Sequence, residues 1–234
     1  VSPASRPLGI VTGARAEARC LSPARAAGSV IVECSGGRVD RAILRARALA
    51  ARGCIGLLSF GLAGGLDPAL SSGRLVIGTR VVGPGGALNE THDDWTRALR
   101  GALAPLDPIA APVAAGERIV ASPADKRVLF EESGAAIVDL ESGAVAMAAR
   151  AAGLPFAVLR AVADPARRAL PDAAAAGLDE RGVVRARAVV MGLIRKPEDI
   201  ASTLALAGYA ARAMGTLRRA ARLAGPALFG GGRI

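Results

Sequence analysis

The stretch Val138–Pro165, VDLESGAVAMAARAAGLPFAVLRAVADP, constrains this chain more than any other. The preceding run Ala135–Leu140, AAIVDL, is short, apolar and β-branched, and reads as a buried strand. Ser142–Ala152 is composed of small residues, with Val145, Ala148, Ala149 and Ala152 at helical spacing, and Gly153 and Pro155 supply a stop. Pro155–Asp164, PFAVLRAVAD, reads as a second strand. A strand, a helix and a strand in so few residues predict a βαβ unit whose right-handed crossover makes the strands parallel. Glu141 and Asp164 would then lie at carboxyl ends on one sheet edge, where open α/β sheets bind ligands.

The rest of the chain supplies the sheet. Leu8–Gly13 predicts a first strand, and ARAEARCL opens a helix with Glu17 in its first turn. Ser29–Gly37 predicts a strand, and Val39–Arg52 an amphipathic helix bearing Ala42, Leu44, Ala46 and Leu49. Gly53–Phe60 is a buried strand that runs into GLAGGLDPAL, where Gly61, Gly64 and Gly65 let backbone N–H groups approach a ligand. Strands are also expected at Arg74–Val82 and Glu117–Ser122, a short helix in NETHDDWTRALRGAL, and a helix opened by Pro123 and Asp125. Pro105–Pro112 reads as irregular. Beyond Asp164 a loop or flap is expected through PARRALPDAAAAGLDERG, and Val183–Leu193 returns to apolar content. A long helix then starts at Pro197, with Ile200, Leu204, Ala207, Ala211, Met214 and Ala221 on one face and Gly225-Pro226 at its end.

Composition removes several function classes. A chain of 234 residues holds one sizeable core, so a single domain over 1–234 is expected. Cys20, Cys34 and Cys54 lack CxxC spacing and His92 is the only histidine, so neither a structural metal site nor a disulfide framework is expected. The longest uncharged run, Gly53–Leu66, has roughly 14 residues, short of the about 20 a membrane span needs. No signal-like apolar segment precedes the first strand, so a cytoplasmic protein is expected, with peripheral contact at the inner membrane through the basic last helix as a second reading. The net charge of +10 raises nucleic acid as a partner, but the arginines are scattered and Trp95 and Tyr209 stand alone, so no base-stacking platform is present and nucleic acid is not expected.

Three motifs, GIVTGARAE, GLAGGLDPALSSGRLVIG and VDLESGAVAMAARAAGLPFAVLRAVAD, together resemble the purine nucleoside phosphorylase and nucleosidase superfamily, on the methylthioadenosine/S-adenosylhomocysteine nucleosidase side. The resemblance implies a three-layer α/β/α fold with a mixed, partly barrel-like sheet, and a homo-oligomer, a dimer being favoured. It implies a purine nucleoside substrate and no cofactor, with phosphate as co-substrate only in the phosphorylase alternative. It also implies roles. Asp164 matches the acid that protonates the departing purine, Glu141 the carboxylate that holds the ribose hydroxyls, and Glu17 the acid that activates water. Leu140 takes the place of a Met that packs on the sugar, while Leu62, Ala63, Gly64 and Ser142 join the substrate-binding set.

The chemistry of the residues agrees with these roles, because breaking a purine N-glycosidic bond needs an acid at the base and carboxylates at the sugar. For Asp164 to act as that acid, burial and nearby negative charge must raise its pKa, and the predicted sheet edge is expected to supply both. Two positions depart from the nucleosidase pattern: Leu62 replaces a small polar residue, and Ala163 replaces a Ser, which predicts a looser Asp164. Glu17 stands where phosphorylases place a phosphate-holding Arg, which favours hydrolysis over phosphorolysis. The Ala/Arg-rich chain and basic last helix are most similar to the hopanoid-associated branch, which implies adenine release from adenosylhopane, a lipid-linked nucleoside. A non-catalytic nucleoside or nucleoside-lipid binding protein on the same fold is the competing reading.

Overall fold

The computed structural model describes residues 6–170, 200–225 and 227–228. Five strands close on themselves, and three others extend the sheet from that ring. β3 (Leu57–Gly65) pairs with β7 (Ile137–Asp139), β7 with β6 (Ile109–Ala115), β6 with β4 (Leu75–Val82), β4 with β8 (Phe156–Asp164), and β8 with β3 again. β1 (Leu8–Thr12) continues from β3 and β2 (Val30–Cys34) from β1, while β5 (Leu88–Glu90) borders β4. Helices lie on both faces: α3 (Val39–Ala51) and α6 (Ser142–Ala152) on one, α4 (Asp93–Ala102) and α7 (Ile200–Ala224) on the other. Two short helices, α1 (Arg15–Arg19) and α2 (Ser22–Ala26), follow β1, and α5 (Pro123–Ser133) precedes β7. This is the expected three-layer α/β/α architecture with a partly barrel-like sheet.

Strand alternation divides the core. In β8, Phe156, Val158 and Val162 pack toward α3 and α6, whereas Ala157, Leu159 and Ala161 pack toward α4 and α7. Helix α7 buries Ala213, Met214, Leu217, Ala220 and Ala224. Of the residues expected to share one apolar face, Leu204 is 68% exposed and Ala207 and Ala211 are exposed too, whereas Met214 is buried. Alanine on every side of this helix supplies apolar residues at several angles, so spacing alone did not single out the packed face.

Four further expectations are corrected. β7 and β8 are not a parallel pair: β3 runs parallel to β8 and antiparallel to β7, so β7 and β8 run in opposite directions. The crossover rule applies to parallel strands of one open sheet, and here the ring closes through an antiparallel step. The strand expected over Gly53–Phe60 is Leu57–Gly65 instead, so the glycine stretch is part of β3, which continues through Gly61, Gly64 and Gly65. Ile109–Ala115 is a strand, with Pro112 at the register shift between Gly78 and Val81 of β4, where its missing N–H is tolerated. Glu117–Ser122 is not a strand, since β6 is already flanked by β4 and β7 and offers no edge. No described helix is long and apolar enough to cross a membrane.

Candidate active site

The three acids singled out from sequence line one cavity of about 630 Å3. Antiparallel β7 brings them together. Val138 pairs with Gly64 and so does Asp164, so the chain leaving β7 runs back along β3 and carries Glu141 inward while Asp164 stays at the end of β8. Glu17 enters from α1, directly after β1. Leu140, Leu62, Ala63 and Gly64 line the same cavity, as do Ala163 and Arg118. Ser142 does not: it is fully buried, and its hydroxyl donates to Asp139 Oδ2 at 2.5 Å while its oxygen lies 3.0 Å from Ser59 Oγ.

Glu17 is held by backbone. Its Oε2 accepts the N–H groups of Gly13 and Ala14, both at 2.8 Å, and its Oε1 accepts that of Leu62 at 2.9 Å. The glycine of β3 makes this approach feasible, because a Cβ at Gly61 would lie 2.7 Å from both Glu17 Oε2 and Arg160 Nη1. Burial raises Glu17 above the ordinary glutamate value, against the opposing pull of Arg160 and the three amides. A carboxylate offers about four acceptor sites, so one remains on Oε1.

Arg160, within the quoted RAVAD motif but given no role by it, is the buried cation beside Asp139 and Glu141. It is fully buried on β8. Its Nη2 donates to Ser59 Oγ at 2.5 Å and to Glu141 Oε2 at 3.2 Å, and its Nη1 donates to the Leu62 carbonyl at 3.1 Å. Nε lies 3.1 Å from Asp139 Oδ2 without the alignment of a hydrogen bond, so that contact is ionic. Burial would lower Arg160, but Asp139, Glu141 and Glu17 outweigh it and raise the group. Asp139 in turn accepts the N–H groups of Glu141 and Ser142 at 2.8 and 2.7 Å, fixing the start of α6. A sequence signal did exist for Arg160: alternation along β8 places it with Phe156, Val158 and Val162 on a core-facing side. A charge there demands buried partners.

Glu141 accepts the Ser35 hydroxyl on Oε1 at 2.7 Å and Arg160 on Oε2, which leaves acceptor capacity on both oxygens. Burial pushes it up to about 7, with Asp139 and Glu17 adding to the rise and Arg160 and Ser35 opposing it. The native protein therefore keeps a proton that the unfolded chain has released. This stability is fully present below the ordinary value of 4.5, is lost as pH rises toward about 7, and changes no further above that. Lowering the pH from 7.5 to 5 should raise the unfolding free energy of the wild type more than that of Glu141→Gln, by roughly 2–3 kcal/mol. Urea denaturation at the two pH values measures the difference, and equal responses would contradict it.

Asp164 was expected to be loosely oriented beside Ala163. Instead Lys126, fully buried on α5, donates to Asp164 Oδ2 at 2.5 Å. Burial raises Asp164 above the ordinary aspartate value as expected, but the charge beside it is the Lys126 cation, which opposes that rise, in place of the negative charge expected. Lys126 carried no signal in sequence, because it lies 38 positions away on a helix whose other side chains are exposed or half-buried. Among the described residues no group of three or more His, Cys, Asp or Glu side chains could hold a metal ion.

A family model described as the phosphorylase superfamily matches residues 25–195 of the chain. No curated protein matches the sequence. Among solved structures, 5'-methylthioadenosine/S-adenosylhomocysteine nucleosidase from Helicobacter pylori aligns with a TM-score of 0.66 at 19% identity, covering 93% of this chain and 98% of that one. S-adenosylhomocysteine nucleosidase from Streptococcus pyogenes aligns with a TM-score of 0.63 at 20% identity over 71% of this chain and 87% of that one. Futalosine hydrolase of Helicobacter pylori gives a TM-score of 0.61 at 19% identity, with coverage of 68% and 88%.

Proposed function

The chain belongs to the phosphorylase superfamily, a family of enzymes, and on that premise we propose that it cleaves the N-glycosidic bond of a 5'-substituted adenosine by hydrolysis, releasing adenine. The carrying observation is the placement of Glu17, Glu141 and Asp164 around one cavity, with the buried Arg160 guanidinium against Asp139 and Glu141 behind it. Asp164 donates a proton to the purine as the C–N bond breaks, so the electron pair of that bond leaves on a neutral base. Glu141 accepts the ribose hydroxyls on its remaining sites and, ionised, stabilises the positive charge that develops on the sugar. Glu17 orients a water through its one open site on Oε1 and takes its proton as the water attacks the sugar carbon.

The preference for water over phosphate has a physical basis in the same residues. The amides of Gly13, Ala14 and Leu62 could have cradled an anion, but Glu17 occupies them. Glu17, Glu141 and Asp139 share Arg160, so a phosphate placed beside Glu17 would meet excess negative charge, although Arg38 and Arg118 also line the cavity. Arg15 and Arg19, which flank Glu17 in sequence, are exposed and do not line the cavity.

The finer reading, adenine release from adenosylhopane in hopanoid biosynthesis, rests on the resemblance to the hopanoid-associated branch. The cavity wall formed by Leu62, Ile119, Val120, Leu170, Ala210 and Met214 supports it, because such a wall suits an apolar 5' substituent. Adenine release from adenosylhopane and from 5'-methylthioadenosine should proceed at the same rate with and without inorganic phosphate, and adenosylhopane should have the higher kcat/KM. A rate that falls to background without phosphate would make the chain a phosphorylase. Tight nucleoside binding with no base release under either condition would make it a binding protein.

A further inference from the structure

Lys126 occupies a place that nothing in helix stability explains. It lies in the first turn of α5, where a cation opposes the helix dipole, and it is fully buried while its neighbours Asp125, Arg127 and Val128 are exposed. Burying an unpaired ammonium is strongly unfavourable, so its partners define its purpose. All three of its donor positions are committed: to Asp164 Oδ2 at 2.5 Å, to the Arg168 carbonyl at 3.0 Å and to the Pro165 carbonyl at 3.2 Å. None is left for a ligand, and Lys126 does not line the cavity. It acts only through Asp164, which lines the cavity and whose Oδ1 has no side-chain partner among the described residues.

We propose that Lys126 is the positioning residue of the general acid: it fixes the Asp164 carboxyl through Oδ2, and its charge stabilises the carboxylate left when Asp164 gives its proton to the departing base. The inference rests on the hydrolytic reading above. The proton that moves is the one on Asp164 Oδ1. It passes to the purine nitrogen while the electrons of the C–N bond leave with the base, and Lys126 keeps all its protons throughout. Asp164 is reprotonated from solvent after release.

The arrangement balances two opposing effects. Burial holds the proton on Asp164 until a base arrives, and Lys126 prevents the acid from becoming too weak to donate it. The role of a small polar neighbour is thus filled from another element, because Ala163 has no side-chain donor. Among the described residues, the other charged groups lining the cavity are Glu141, Asp139, Glu17, Arg38 and Arg118, while Arg168 approaches Lys126 by its carbonyl and α7 contributes Ala210 and Met214. Lys126 is the cation that pairs with Asp164 among the described residues.

The test is kcat/KM for adenine release from 5'-methylthioadenosine across pH, on the full chain, for Lys126→Gln, Lys126→Met and Lys126→Arg. Loss of the charge raises Asp164 further, so the alkaline limb in the Gln and Met variants should move to higher pH. Their plateau kcat should fall about 10- to 100-fold, less than removal of a general acid itself produces. Lys126→Arg should restore the limb. Gln keeps a donor to Asp164, so a purely geometric role predicts a wild-type limb for Gln and overturns the proposal. Carbon-13 NMR titration of the Asp164 carboxyl in wild type and Lys126→Gln gives the same decision without turnover: an unchanged midpoint overturns the proposal. A wild type that releases no adenine refutes hydrolysis instead, and the NMR comparison still decides the role of Lys126. If the Gln or Met variant does not fold, the Arg variant decides by the same titration, since a charge-based role requires a midpoint close to wild type.

Discussion

Asp164→Asn is expected to lower the single-turnover rate of adenine release by about 100- to 10,000-fold while changing nucleoside affinity only a few-fold. Asparagine has the same shape and keeps an oxygen that can accept the Lys126 ammonium, so the anchoring contact at Oδ2 survives and the fold should persist. What disappears is the transferable proton, and a purine anion is then a poor leaving group. The effect belongs to the transition state rather than to binding, so equilibrium affinity and turnover should separate cleanly. A loss below tenfold in single-turnover adenine release would remove Asp164 from the role of acid.

The largest expected effect on stability comes from Arg160→Met. Methionine fills a similar volume, but it leaves Asp139 and Glu141 without the cation they contact and Glu17 without the nearby charge that opposes its protonation. Breaking a buried ion pair from one side typically costs about 3–5 kcal/mol, because the remaining charge stays buried and uncompensated. Urea denaturation at pH 7.5 should show a loss of that size. Part of it should return at pH 5, where Glu141 takes up a proton and no longer needs a cation. A loss under about 1 kcal/mol at pH 7.5 would mean that the carboxylates are balanced by something other than Arg160.

Both effects concern residues whose visibility in the sequence was very different. Asp164 and Glu141 stand at the ends of apolar runs, so their unusual position could be read directly, and Glu17 followed from its place after β1. The boundaries of α6 and the extent of β8 were legible because glycine, proline and strand alternation are local signals. Ser142 was placed in the binding set by its position in the motif, yet its hydroxyl turns inward to Asp139 and Ser59. The strand at Ile109–Ala115 was hidden by its proline, which the register shift opposite Gly78–Val81 absorbs.

The amino-acid sequence by itself determined the elements that local chemistry controls: where apolar alternation makes a strand, where small residues make α6, and which three acids follow buried strands. Only the tertiary structure decided that β7 runs against β8, because strand direction in a closed ring depends on which partners complete its hydrogen bonds. That reversal carries Glu141 back toward Asp164. The cations were decided in the same way. Arg160 reaches carboxylates 19 and 21 positions away in β7 and its following turn, and Lys126 reaches Asp164 from a separate helix. Burial makes such pairings strong, and burial exists only once the sheet has closed around them.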